Sequence, residues 1–292
     1  MSSDTLWERV APIAVMTIFV MIVQILSLAL MPSLFASEVR VFENPESAAN
    51  PLGYILLVLG FTLFVLVAIK KGKGWIVSGT ILLAVVMSIY YVLYAFFAPS
   101  IALILSVVVL LLLCLYPEWY VIDLVGLLVC AGVSTLFGLS MTVFPTLLLL
   151  MILAIYDGIS VYKTKHMVTL AEGVMNIRAP LLFIVPRRRS YSFRKEGTGG
   201  NDRGAYFLGL GDAIIPTVLV ISANWSLNAP LYGVGGLMVN VPALGAMLGT
   251  YLGFVVLSMT PREKPQAGLP FLNGGAVLGF IVGSLMAGVS IF

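Results

Sequence analysis

The sequence predicts an all-α integral membrane protein of nine transmembrane helices. Three observations lead there. Hydrophobic residues make up 60% of the 292 positions and charged residues 10%, whereas soluble domains carry about 25% charged residues. Nine apolar runs approach or exceed the ~20 residues that a spanning helix needs. The Lys and Arg residues collect in alternate connections between those runs. Open strands would leave N–H and C=O groups unsatisfied in lipid, so every run is read as helix.

The runs are 10–31, 52–69, 75–97, 100–115, 119–139, 142–162, 205–223, 230–258 and 270–291. The first is too long for a cleavable signal peptide and has no small-residue cleavage site, so it reads as a span. The fourth is short, and only Ala98 to Ser100 separates it from the third. The eighth is long enough to tilt or to include a loop end. With the N-terminus inside, Arg9, the Lys70/Lys71/Lys73 group, nine basic residues from Lys163 to Arg203, and Arg262 and Lys264 all fall on the inner side. Of the 16 Lys and Arg, only Arg40 falls outside, in a loop that also holds Glu38, Glu43 and Glu46. Such segregation fixes the orientation, with the N-terminus and loop 163–204 cytoplasmic and the C-terminus outside.

Between the sixth and seventh runs lies the main polar loop, 163–204. Residues 164–186 are expected to form a short amphipathic helix followed by a strand-like APLLFIVP piece at the membrane surface. Residues 187–204, RRRSYSFRKEGTGGNDRG, are basic and Gly-rich and are expected to be mobile. His166 reads as a loop residue, and Cys114 and Cys130 as small buried hydrophobes. One His, two Cys and no HExxH cannot build a usual zinc site, so no metal or cofactor is expected, and no nucleic acid either. Gly249/Gly253 and Gly275/Gly279/Gly283 have the spacing that lets spanning helices pack closely.

Two carboxylates stand out because a charge inside lipid is expensive. Asp157 lies six residues before Lys163, about 9 Å deep at helical rise, and Asp212 nine residues after Arg203, about 13 Å deep. They sit on antiparallel neighbouring helices at similar depth on the inner side. Asp123, near Glu118 and Trp119, reads as an interfacial or helix N-terminal acid. Two close carboxylates in a low dielectric share one proton. One then removes a proton from water while the other polarises a carbonyl. Gly158 beside Asp157, and Gly209 and Gly211 before Asp212, are expected to adopt conformations that other residues avoid and to admit another backbone. Pro216 bends a continuing helix near Asp212. Tyr156 and Tyr206 read first as interfacial aromatics. The same pair of acids would also suit an ion channel or a proton-coupled carrier.

At these residues the chain resembles the GxGD intramembrane aspartyl proteases: presenilin, signal peptide peptidase and their short archaeal homologues. YDGISVY, residues 156–162, looks like the family's Tyr-Asp motif in the sixth helix. Gly209, Leu210, Gly211 and Asp212 match the second motif, GLGD, in the seventh. MVTLAEGVMNIRAPLLFIVP, residues 167–186, is similar to the corresponding signal peptide peptidase segment. The resemblance implies a presenilin-like bundle, an aspartic endopeptidase with Asp157 and Asp212 as its dyad, and Tyr156 and Gly158 shaping the site. Residues 1–139 would be a five-helix scaffold, and 140–292 would hold catalytic helices six to nine with the cytoplasmic loop.

The family's third motif, Pro-Ala-Leu, is met in two places. A literal VPAL stands at Val241–Leu244, midway through the eighth run. AGLP, Ala267–Pro270, enters the membrane from the same side as the acids, and for that reason Gly268, Leu269 and Pro270 are assigned the role. Substrates would be transmembrane segments of membrane proteins that unwind near the cytoplasmic face, with APLLFIVP pairing to them as an added strand. Lipid is the remaining partner, and a homo-oligomer is compatible with the composition.

Overall fold

The computed structural model describes residues 6–37, 41–161, 182–187, 191–196, 204–259 and 267–290. Among these lie nine long helices: α1 Leu6–Ala36, α2 Asn50–Lys70, α3 Gly74–Tyr94, α4 Pro99–Leu115, α5 Trp119–Leu139, α6 Val143–Ile159, α7 Leu210–Ser226, α8 Val241–Met259 and α9 Leu269–Ala287. Six are long and apolar enough to cross a membrane; α4, α6 and α7 are shorter apolar helices of 17 residues each. At 1.5 Å per residue, 17 residues cover about 25 Å, the lower end of a spanning length.

Two expected spans begin later than their hydropathy suggests. Residues 205–209 are not helical. Ala205–Gly209 forms strand β2, antiparallel to β1, Leu182–Pro186. The helical depth count for Asp212 therefore does not hold; the acid lies in the first turn of α7. The run from 230 opens with a hairpin, β3 Leu231–Val234 and β4 Leu237–Asn240. Its turn is Gly235–Gly236, with φ of 59° and 86°, which suits glycine at both corners of a two-residue loop. Helix α8 starts only at Val241, so VPAL occupies its first turn.

The strand-like reading of residues 182–186 is borne out. The amphipathic helix expected before it lies outside the described residues. Within the segment expected to be mobile, Tyr191 and the single helical turn Phe193–Glu196 are described. Tyr191 and Phe193 are buried with Val77, Ile122, Val125 and Ile184, because two aromatic rings in a basic loop still gain by leaving water. Ser192 Oγ donates to Glu118 Oε1 at 2.8 Å. Of the two cysteines, Cys130 is buried, but Cys114 is exposed on α4, where the helix presents apolar side chains outward.

Helix α7 is the axis of the bundle. Ala213 and every residue from Ile215 to Asn224 are buried. Gly138 of α5 leaves room for Ile221, since a Cβ there would lie 2.5 Å from the Ile221 Cβ. Buried polar groups tie together the end of α7 remote from Asp212: Trp225 Nε1 donates to Gly138 O at 2.6 Å, Ser222 Oγ to Met141 O at 2.8 Å, and Asn240 N to Asn224 Oδ1 at 2.8 Å. Helices α8 and α9 run antiparallel in backbone contact. A Cβ on Gly245, Gly249 or Gly253 would strike the carbonyl oxygen of Gly279, Gly275 or Phe271 respectively. The glycine spacing thus serves close helix packing, as expected. This seam sets Phe271, at the start of α9, beside the last turns of α8, while Gly283 meets Val241 and Pro242.

Candidate active site

Asp157 lies in the last turn of α6 and is 5% exposed. Asp212 lies in the first turn of α7 and is half-buried. Gly209 is the N-cap of α7, and its backbone N–H interacts with the Asp212 carboxylate three residues on. That is the reach of an acid at the third helical position back to its own cap. Asp157 lies close enough to Asp212 to act on it electrostatically.

Both acids meet at the start of α9. Leu269 N donates to Asp157 Oδ2 at 3.2 Å. Gly268, the residue before, faces Asp212: a Cβ there would sit 2.9 Å from Oδ1 and 3.0 Å from Oδ2. Two adjacent backbone positions therefore touch the two carboxylates, one through a donated N–H and one through a missing side chain. Asn273, one turn further along α9, donates from Nδ2 to Leu150 O at 3.0 Å and pins α9 to α6 a second time. Sequence reasoning passed over Asn273; the signal available was a lone amide inside an apolar span.

The other residues singled out by sequence are placed as follows. Gly158 faces Pro270, with a Cβ position 3.9 Å from the Pro270 Cγ, an ordinary contact. At Gly209 a Cβ would come within 3.3 Å of Asp212 Oδ2. Its φ of −62° and ψ of 136° suit any residue, so the expected unusual backbone is corrected: Gly209 provides space rather than conformational freedom. Gly211 is exposed, and a Cβ there meets nothing within 4 Å. Leu210 is buried and its carbonyl accepts from Cys130 Sγ at 3.7 Å. Tyr156 is half-buried next to Asp157. Tyr206 lies on β2, where its hydroxyl accepts from Arg187 at 2.9 Å and its ring lies 4.7 Å from the guanidinium carbon. Val241–Leu244 begins α8 against Gly283, near the far end of α9 from Gly268.

The β1–β2 ribbon leads straight into GLGD. Arg187 N donates to Gly204 O at 2.9 Å, which sets the antiparallel parity. Val185–Tyr206 and Phe183–Leu208 then exchange hydrogen bonds, while Ile184 and Phe207 point their backbone groups outward. The outward N–H of Ile184 is taken: it donates to Asp123 Oδ1 at 2.7 Å. Phe183, Ile184 and Val185 are also buried. The expectation that this strand pairs with a substrate is therefore corrected, because its outer edge is packed against α5. Among the described residues no strand pairs with the other edge of β2, which is the ribbon's open edge. Asp123, expected as an interfacial or helix N-terminal acid, lies near the start of α5; it is 4% exposed and bonded to a strand, a partner that the sequence reading did not foresee.

The arrangement offers paired acids at the adjoining ends of two short helices, a backbone donor between them and a strand edge beside them. A family model described as signal-peptide peptidase, presenilin aspartyl protease matches residues 16–289. Two solved structures described as a presenilin family intramembrane aspartate protease are similar. The one in a C222 crystal form is 37% identical, with a TM-score of 0.70, over 94% of this chain and 100% of that one. The one in a P2 form is 35% identical, with a TM-score of 0.67, over 98% and 100%. Comparison with curated proteins finds no match. With nearly its whole length accounted for, the chain belongs to the signal-peptide peptidase and presenilin family and is a multi-pass intramembrane aspartic protease.

Proposed function

We propose that Asp157 and Asp212 are the catalytic dyad of this protease, and that Gly268, Leu269 and Pro270 complete the site in place of VPAL at 241–244. The observation that carries this reading is the contact of Gly268 and Leu269 with both carboxylates. Sharing one proton, the pair splits its roles. The ionised acid takes a proton from water, and the water oxygen attacks the scissile carbonyl carbon. The protonated acid gives its proton to the carbonyl oxygen, forming a gem-diol. Collapse of that intermediate breaks the C–N bond, and the leaving amine takes up a proton. Residues 140–292 carry this chemistry on the scaffold of 1–139.

Substrates are transmembrane segments of membrane proteins, unwound near the inner face. An unwound segment has free N–H and C=O groups, and the open edge of β2 is suited to take them as an added strand. Tyr156, Gly158, Leu210 and the exposed Gly211 then shape the path to the acids. The basic segregation supports a cytoplasmic N-terminus and loop 163–204 and an outer C-terminus; reporter fusions at each end that read the opposite sides would overturn it. Exposed Leu56, Leu57 and Leu63 on α2 and Leu103 and Leu115 on α4 form the lipid contact. Any homo-oligomer uses the same faces, and native mass spectrometry from detergent tests it.

The deciding experiment incubates purified protein with a labelled single-span substrate. General acid–base catalysis is worth about 10²–10⁴-fold, so Asp157→Asn and Asp212→Asn should each lose at least about a hundredfold. A hydroxyl-containing peptidomimetic should bind the wild type and weaken with either change. Near-normal cleavage by either variant would end the dyad reading.

A further inference from the structure

Asp123 is a buried acid that the dyad chemistry does not use. It lies on α5, and its Oδ1 accepts the outward N–H of Ile184 at 2.7 Å. Its Oδ2 has no hydrogen-bond partner among the described residues. Asp123, Gly126, Cys130 and Ser134 follow one another at three- and four-residue steps, so they share one face of α5. That face touches β1 and α7 in sequence. Ile184 bonds to Asp123. Phe183 and Leu210 both close on Gly126, where a Cβ would lie 3.1 Å from each. Leu210 O accepts from Cys130 Sγ, and Ile214 O from Ser134 Oγ at 3.3 Å.

The geometry points to Asp123 as a positioning residue for cleavage: by holding the outer edge of β1, it fixes where β2 presents its open edge relative to Asp212. Strand β2 hydrogen-bonds β1 on one side, pairs with no other strand among the described residues, and passes through Gly209 directly into the helix that carries Asp212. A one-residue shift of β1–β2 would turn every side chain of the ribbon over and move an added strand by about 3.3 Å along the site. Asp123 also closes the outer edge of β1 to pairing, which leaves β2 as the edge for substrate. This inference rests on the proposed addition of substrate to β2.

Two substitutions delete the same bond from opposite ends. Asp123→Leu removes the acceptor. Ile184→Pro removes the donor and leaves the β1–β2 ladder intact, because that N–H points away from β2; proline is tolerated at such an edge position. Asp123→Asn keeps an acceptor oxygen. Each variant is purified as the full chain and assayed on a single-span substrate, with product masses read by mass spectrometry beside a thermal melt. Asp123→Leu and Ile184→Pro are expected to cleave at least tenfold more slowly and to spread cleavage to neighbouring peptide bonds, with Asp123→Asn within about threefold of wild type at the wild-type bond. A merely structural role would lower the melt and the rate without moving the cleaved bond.

The inference is overturned by wild-type rate and bond choice in Ile184→Pro. It is also overturned if Asp123→Asn proves as impaired as Asp123→Leu at an unchanged melting temperature. Should Asp123→Leu fail to fold, the Ile184→Pro result decides alone. Cleavage surviving in Asp157→Asn would instead overturn the dyad assignment and leave this comparison standing.

Discussion

Leu269 holds Asp157 through a single backbone bond, N to Oδ2 at 3.2 Å, at the first residue of α9. The donor is free because a helix leaves its first N–H groups without intrahelical partners. Pro270, next in line, has no N–H to offer. The seam of glycines between α8 and α9 and the Asn273 bond to Leu150 O fix where that donor stands. A long-range packing arrangement thus ends in one N–H aimed at one acid.

Leu269→Pro deletes that N–H at a helix position where proline is otherwise favoured. Hydrogen bonds to charged groups contribute about 1.5–3 kcal/mol. Converted at ~1.4 kcal/mol per decade, the loss should lower kcat by about tenfold to a hundredfold. The melting temperature should change little. Unchanged kcat would show that Asp157 does not depend on this donor.

Gly268 and Gly211 flank Asp212 and should respond in opposite ways. A Cβ at Gly268 falls 2.9 Å from Asp212 Oδ1, so Gly268→Ala must displace the carboxylate and lower kcat, by at least about a hundredfold if general acid–base work is lost. At Gly211 a Cβ meets nothing within 4 Å. Gly211→Ala should leave the fold and the acid in place and raise KM, because the open space is proposed to belong to substrate. Equal effects of the two changes on kcat and KM would contradict this division.

Much of the bundle was legible because the forces that shape it are written as composition. Apolar runs of membrane length mark helices, and a charge inside one stands out as an exception that needs a reason. Two glycine rows at four-residue spacing announced the α8–α9 seam. What was hidden depends on partners remote in sequence. AYFLG at 205–209 reads as part of an apolar run, since a short run has no period that separates strand from helix; its partner is β1, read as a strand-like piece but with no sign in the sequence of which segment it pairs with. Asp123 looked interfacial because its bond reaches across 61 positions to Ile184. Gly209 was credited with conformational freedom, whereas its φ is ordinary and the carboxylate beside it explains the missing side chain.

Gly249 tests the seam that carries α9. Its Cβ position collides with the Gly275 carbonyl oxygen, and both partners are backbone, so neither can rotate away. Overpacking of this kind costs about 1–3 kcal/mol or more. Gly249→Leu should lower the melting temperature by several degrees and reduce cleavage in parallel, since α9 carries Gly268 and Leu269. A variant with wild-type melting and activity would show that α8 and α9 can separate without consequence to the site.

The open edge of β2 gives the test of how substrate is held. Phe207 and Leu208 are neighbours with opposite backbone aims: by the parity that Arg187 and Gly204 set, Leu208 bonds to Phe183 while Phe207 faces outward. Phe207→Pro removes an outward N–H and keeps the ribbon. Leu208→Pro breaks the ribbon itself. If an unwound substrate adds to β2, Phe207→Pro should raise KM about tenfold or more at an unchanged melting temperature, whereas Leu208→Pro should damage both kcat and stability. Substrate amide N–H and C=O groups replaced by ester linkages opposite Phe207 should weaken wild-type binding and have little further effect in Phe207→Pro. Additive losses in that double perturbation would show that the substrate backbone is recognised somewhere other than this edge.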